Sequence, residues 1–150
     1  MTNSIRQLTS IVEGYTPQLQ RLNQEQWSNK PDPVKWSRKE ILGHLIDSAQ
    51  TNIRRFITAQ YEHNPRVTYQ QDIWVKAANY QNYNTSDLLL LWQLMNKHIC
   101  MVLSNIPASA EERLSQTDEP HSIKWLAQDY NKHLLHHLHH LLDLEPIAYP

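Results

Sequence analysis

The stretch DYNKHLLHHLHHLL, residues 129–142, places five of the protein's nine histidines close together: His133, His136, His137, His139 and His140. Neutral imidazole is the commonest protein metal ligand, and a short His-rich tract points to metal binding on composition alone. Five side chains on one helix cannot all face one ion, so the helical wheel has to sort them. Ile123, Leu126, Ala127, Tyr130, Leu134 and Leu141 share one arc. His137 lies inside that arc, His133 at its edge, and His140 slightly further out. His136 and His139 point away. His133 and His137 therefore form an H-x-x-x-H pair at the rim of the buried face, where side chains four residues apart are neighbours and can grip one ion. His136, His139 and His140 read as surface polar residues.

An open catalytic site wants about three protein ligands and a free position, so a third must come from another helix. His63 and His121 fall at segment ends. His98 lies near an apolar arc beside Met95 and Met101, and His44 lies on a flank with Ile41 and Ser48. Periodicity does not choose between His44 and His98. Around such a site Asp47, three residues after His44, and Asp129, four before His133, could each accept a second ring proton. Asp72 and Trp74 could cap a pocket. Arg54 and Arg55 could meet an anionic substrate, or simply face solvent or pair with acids. No nucleophile is indicated. Cys100 has apolar neighbours and reads as a buried structural thiol, and no G-x-S-x-G occurs.

Four segments carry the periodicity that would position these residues. The first runs from about Ser4 to Leu22, with Pro17 inside it as a kink. After the break NKPDPVKW, Ser37 and Glu40 stand in S-x-x-E spacing, the signature of a capping box, and open a second helix ending near Tyr61. Residues 63–83 show little periodicity, and a connection this long suits a crossover between parallel helices better than a tight link between antiparallel neighbours. It would also cover a pocket. A third helix runs from Asn84 or Thr85 to about Asn105, and a fourth from about Pro120 or Ser122 to about Leu144. An all-α four-helix bundle, one domain over residues 1–150, is the economical architecture.

The totals exclude several functions. The net charge of −1 offers no basic excess for nucleic acid. Only Gly14 and Gly43 occur, too few for a Gly-rich phosphate loop or a hairpin-rich β protein. One cysteine forms no intramolecular disulfide. No basic-then-apolar leader and no span of ~18–20 apolar residues is present, so a cytoplasmic protein without membrane attachment is expected.

WSRKEILGHLIDSAQTNIRRF together with SIKWLAQDYNKHLLHHLHHLL resembles the DinB/YfiT-like four-helix bundles in helix number, order and spacing. The carrying features are a Trp-Ser helix start, GHL one turn later, and a last helix reading DY..H..HHL..L. The resemblance implies an up-down-down-up bundle. It also implies a divalent metal, zinc or nickel, held by His44, His133 and His137. It implies an enzyme of the thiol-transferase or hydrolase type acting on a small molecule, for example with a low-molecular-weight thiol such as bacillithiol or mycothiol, and a homodimer. A non-catalytic metal-binding or dimerising bundle is one alternative, and a bundle whose inward histidines are core polar residues that hold no ion is another. The chain departs from common relatives at His140, where an amide is frequent.

Overall fold

The computed structural model describes residues 1–149. Four long helices carry the fold: α1 (Thr2–Gln20), α3 (Arg38–Thr58), α5 (Thr85–Ser104) and α6 (Ile123–Leu141). Two shorter ones, α2 (Gln24–Ser28) and α4 (Gln71–Ala78), lie in the connections, as does a hairpin of β1 (Leu114–Gln116) and β2 (Pro120–Ser122). α3 packs between α5 and α6, and α1 closes the ring by packing on both. Leu8, Leu42, Leu45, Phe56, Leu88, Trp92, Ile99, Leu134 and Leu138 meet in the middle with no exposed area. This is the four-helix bundle that the periodicity expects.

Each long helix after α1 starts on the side chain its sequence supplies. Ser37 accepts from the Glu40 amide at 3.2 Å while Glu40 accepts from the Ser37 amide at 2.8 Å. Asn84 caps α5 and Ser122 caps α6 by accepting from the amides of Asp87 and Trp125. Such caps satisfy donors that helix geometry leaves free. α1 runs through Pro17 and ends at Gln20. Sequence periodicity misses α2, although Asn23 and Gln26 form a second capping box there. That helix is short and exists to bury Trp27, 2% exposed.

The connection over 63–83 differs from the unstructured crossover expected. It holds α4 and a 3-10 turn at Tyr80–Asn82, and it is tied down at both ends. Arg55, inside α3, donates from Nε and an Nη to the Val67 carbonyl at 3.0 and 2.9 Å. The Val67 amide donates to the Gln116 carbonyl at 3.1 Å, joining the segment to the hairpin. At the far end the Tyr80 ring lies flat against Gly43, where a Cβ would overlap it. Thus α3 is covered on a second face, and residues 41–49 are buried without a break.

Candidate metal centre

α3 brings His44 and α6 brings His133 and His137 to one place, where one nitrogen from each ring lies within 4.8 Å of the others. His44 Nε2 faces His133 Nε2 at 3.1 Å. The three ring centroids are 4.5–5.0 Å apart, with every pair crossing at a steep angle. Nitrogens sharing an ion at about 2.1 Å can be no more than about 4.2 Å apart. The widest spacing therefore needs at most a side-chain adjustment of roughly half an ångström.

Burial sets the protonation state. His44 is 1% exposed, and desolvation pushes its pKa down to about 4, with the Asp72 carboxylate opposing. Desolvation, and then the neighbouring histidines, pushes His137 down to about 3. His133 falls well below its ordinary value for the same two reasons, burial first. All three are neutral at pH 7, the form that ligates.

The hydrogen bonds test whether the rings fit an ion. His133 Nδ1 lies 3.4 Å from Ser48 Oγ, which suits an Nδ1–H donor and leaves its Nε2 lone pair aimed inward. The Nδ1 atoms of His44 and His137 are buried without a partner. If His44 carries its proton on Nε2, that proton meets the His133 lone pair but a buried Nδ1 acceptor is left unmet. If it carries the proton on Nδ1, a buried donor is unmet and two lone pairs face each other at 3.1 Å. Neither tautomer satisfies the set. A cation between the two Nε2 atoms removes the repulsion, so the donor set fits a metal.

Aromatic rings surround the cluster. Trp36 stands 5.0 Å from the His44 ring and Tyr69 stacks on it at 6.4 Å. Trp74 packs on Tyr69 at 5.3 Å. On the remaining side an open cleft of about 580 Å³ reaches His137, between Trp36, Asp72, Arg38 and His140. Asp72 thus stands in the cleft, whereas Trp74 does not line it and packs instead on Tyr69.

Other sequence expectations resolve differently. His98 and His63 are exposed, and His121 stacks on Trp125. Among the described residues, no second group of potential ligands forms. Asp47 is buried, yet it accepts from the Tyr80 hydroxyl at 2.6 Å, and burial raises its pKa. Asp129 likewise accepts from a phenol, that of Tyr149, at 2.8 Å. Neither carboxylate holds a ligand ring; Ser48, read in the sequence only as a flank neighbour of His44, has that place for His133. Its signal was the i+4 spacing from His44. Arg54 is exposed and Arg55 anchors the crossover. Cys100 is half-buried beside Thr9 Oγ1, and burial pushes its thiol up.

Fold and cluster together define a helical bundle with a three-histidine group at the mouth of a cleft. The DinB superfamily model matches residues 8–141, and the chain belongs to that superfamily. Among solved structures it is similar to YfiT from Bacillus subtilis, described as "a probable metal-dependent hydrolase with an unusual four-helix bundle topology". The TM-score is 0.83 at 19% identity, covering 95% of this chain and 83% of that one. It is also similar to the mycothiol-dependent maleylpyruvate isomerase, with TM-score 0.77 at 12% identity. There the match covers 99% of this chain but only 64% of the isomerase. A mutant of that isomerase gives TM-score 0.78 at 11% identity, with the same coverage. No curated protein matches in sequence. Among the described residues no helix is long and apolar enough to cross a membrane.

Proposed function

We propose that this chain is a divalent-metal-dependent enzyme of the thiol-transferase or hydrolase type, with His44, His133 and His137 as the ligands. The observation that carries the reading is the convergence of three neutral imidazoles whose protons and lone pairs cannot all be satisfied by one another. Three nitrogen donors suit zinc or nickel. Bound there, such an ion would bring the pKa of a coordinated water or thiol toward neutrality.

The chain's own residues supply the rest. Ser48 holds the His133 tautomer. Trp36 and Tyr69 keep water from His44 and leave the cleft as the approach for a small molecule. Asp72 lines that cleft with Asp32 and Asp143, and it is the one whose charge acts on His44, so it would take up the proton that water or thiol gives up. All three ligands belong to one chain. The similarity to a mycothiol-dependent enzyme supports a low-molecular-weight thiol as co-substrate, and the reducing cytoplasm is where such thiols persist. The cleft favours this reading over a bundle that only binds metal.

Elemental analysis of the untagged protein tests the ligands. About one ion per chain is expected in wild type, and a small residue of that in His44→Ala and in His133→Ala. Wild-type metal content in both variants would reject the triad. Consumption of a small thiol with an electrophile, followed with and without chelator, tests the chemistry. Chelator-independent consumption would reject metal-dependent transfer.

A further inference from the structure

The two α6 histidines that face away from the cluster also have partners. After α6 the chain turns at Asp143, which takes a φ of 54°, and residues 144–149 run back along the helix. His139 Nδ1 meets the Glu145 carbonyl at 2.7 Å, and His136 Nδ1 meets the Ile147 carbonyl at 2.6 Å. The Tyr149 hydroxyl donates to Asp129 Oδ2 at 2.8 Å. The three ties use alternate residues of the returning segment, and they step from residue 139 to 136 to 129 on the helix. Ten helical residues rise ~15 Å and four extended residues reach ~13–14 Å, so an extended strap matches the helix it lies on. His139 is fixed in turn by α1, its Nε2 lying 2.6 Å from the Tyr15 hydroxyl.

The strap delivers one side chain to the cluster. The Tyr149 ring packs edge-on against His133, centroids 5.4 Å apart at 68°, and against His136 at 5.9 Å. His133 needs such support. Its tie to Ser48 is long at 3.4 Å, and its ring is partly exposed. Burial, and then the Asp129 carboxylate, raise the Tyr149 phenol, so it remains a donor to Asp129.

We propose that residues 144–149 form a wall of the metal centre, latched by His136 and His139, and that Tyr149 is a positioning residue that holds and shields the His133 ring. The role rests on the metal reading above. It assigns Asp129 a task too: anchoring the phenol that braces His133.

The test uses the full chain, first stripped of metal and then loaded with Co²⁺. Diethyl pyrocarbonate modification of His133 is followed by peptide mass spectrometry in wild type, Tyr149→Ala, Tyr149→Phe and His136→Ala, with His98→Ala as an exposed control. Tyr149→Ala and His136→Ala are expected to speed modification of His133 about tenfold, the order set by releasing one or two hydrogen bonds. His44 should keep its wild-type rate. Tyr149→Phe keeps the ring and loses the tie, so it should fall between wild type and Tyr149→Ala. Co²⁺ affinity of Tyr149→Ala should drop about 10–100-fold, as for loss of an outer-shell partner. An unchanged His133 rate in both Tyr149→Ala and His136→Ala overturns the strap. Faster modification with unaltered Co²⁺ affinity overturns the positioning role. A wild type that takes up no Co²⁺ while Tyr149 still shields His133 overturns the metal reading instead.

Discussion

Two polar clusters bridge helices inside this bundle, and they are built to different rules. Between α5 and α6, the Tyr130 hydroxyl donates to Asn96 Oδ1 at 2.7 Å and Asn96 Nδ2 donates to the Trp92 carbonyl at 2.7 Å. Both side chains are almost wholly buried, and their donors and acceptors close on one another; only the nearby Trp92 indole N–H is left over. Between α3 and α6, the histidine cluster presents two lone pairs or a misplaced proton to each partner and leaves two Nδ1 atoms unmet. The first arrangement completes itself and serves packing. The second is complete only with something added. Buried polar groups are nearly always paired, so an unmatched set beside a cleft is what the metal ligands proposed above would leave when no ion is bound.

That contrast can be broken most directly by removing one member from each cluster. His137→Ala should weaken Co²⁺ binding by more than the roughly 10–100-fold that an outer-shell loss costs, with little loss of stability in the metal-free chain. Tyr130→Phe should do the reverse. It leaves Asn96 Oδ1 buried without its donor, a cost of about 1–3 kcal/mol in urea unfolding, with Co²⁺ affinity unchanged. Equal metal loss in both variants would erase the distinction.

Gly43→Ala sharpens it from the side of the cover. The new Cβ would overlap the Tyr80 ring, which must move and give up its bond to Asp47. A destabilisation of about 1–3 kcal/mol is expected from overpacking of this kind. Small-to-large tolerance at Gly43 would mean that the crossover is loosely seated.

The gentlest probe is pH on the metal-free chain. His44 and His137 have folded pKa values of about 4 and about 3, below the ordinary value near 6.5. Below about 6.5 the unfolded chain takes up protons that the folded chain refuses, so folding loses stability. The contribution is intact above about 6.5 and declines as pH falls through 6.5 toward 4 and 3. Urea midpoints measured from pH 7.5 to 5 should fall, and His44→Ala should flatten the slope. The Tyr130–Asn96 cluster, with no group titrating in that range, should leave Tyr130→Phe as steep as wild type.

Much of this was legible in residues. The helices were marked by their caps, since Ser37, Asn84 and Ser122 can start a helix whatever follows. His133 and His137 stood out because one face of α6 is apolar and the other is not. His44 could not be read this way. A wheel assumes one buried face, whereas α3 is buried on two, because a segment further along the chain lies over its polar side, with Tyr69 against His44 and Tyr80 against Gly43. Resemblance to a family, not periodicity, pointed to His44. Asp47 and Asp129 failed as ring partners for a related reason. Each was taken by a tyrosine remote in sequence, and no local spacing foretells that. The α4 helix and the hairpin were missed because both are short and held by tertiary ties.

α6 carries both tasks in alternation, and this makes it sensitive to length. Neighbouring residues on a helix differ by about 100° in direction, so the dipeptide His136–His137 points one ring at the strap and the next at the cleft. One residue inserted between Tyr130 and Lys132 would carry His136 into the place of His137, but Lys132 into the place of His133, and Leu135 and Leu138 into the two latch positions. Substitutions elsewhere on this helix leave that alternation intact, whereas its residue count between Tyr130 and His139 is fixed by geometry.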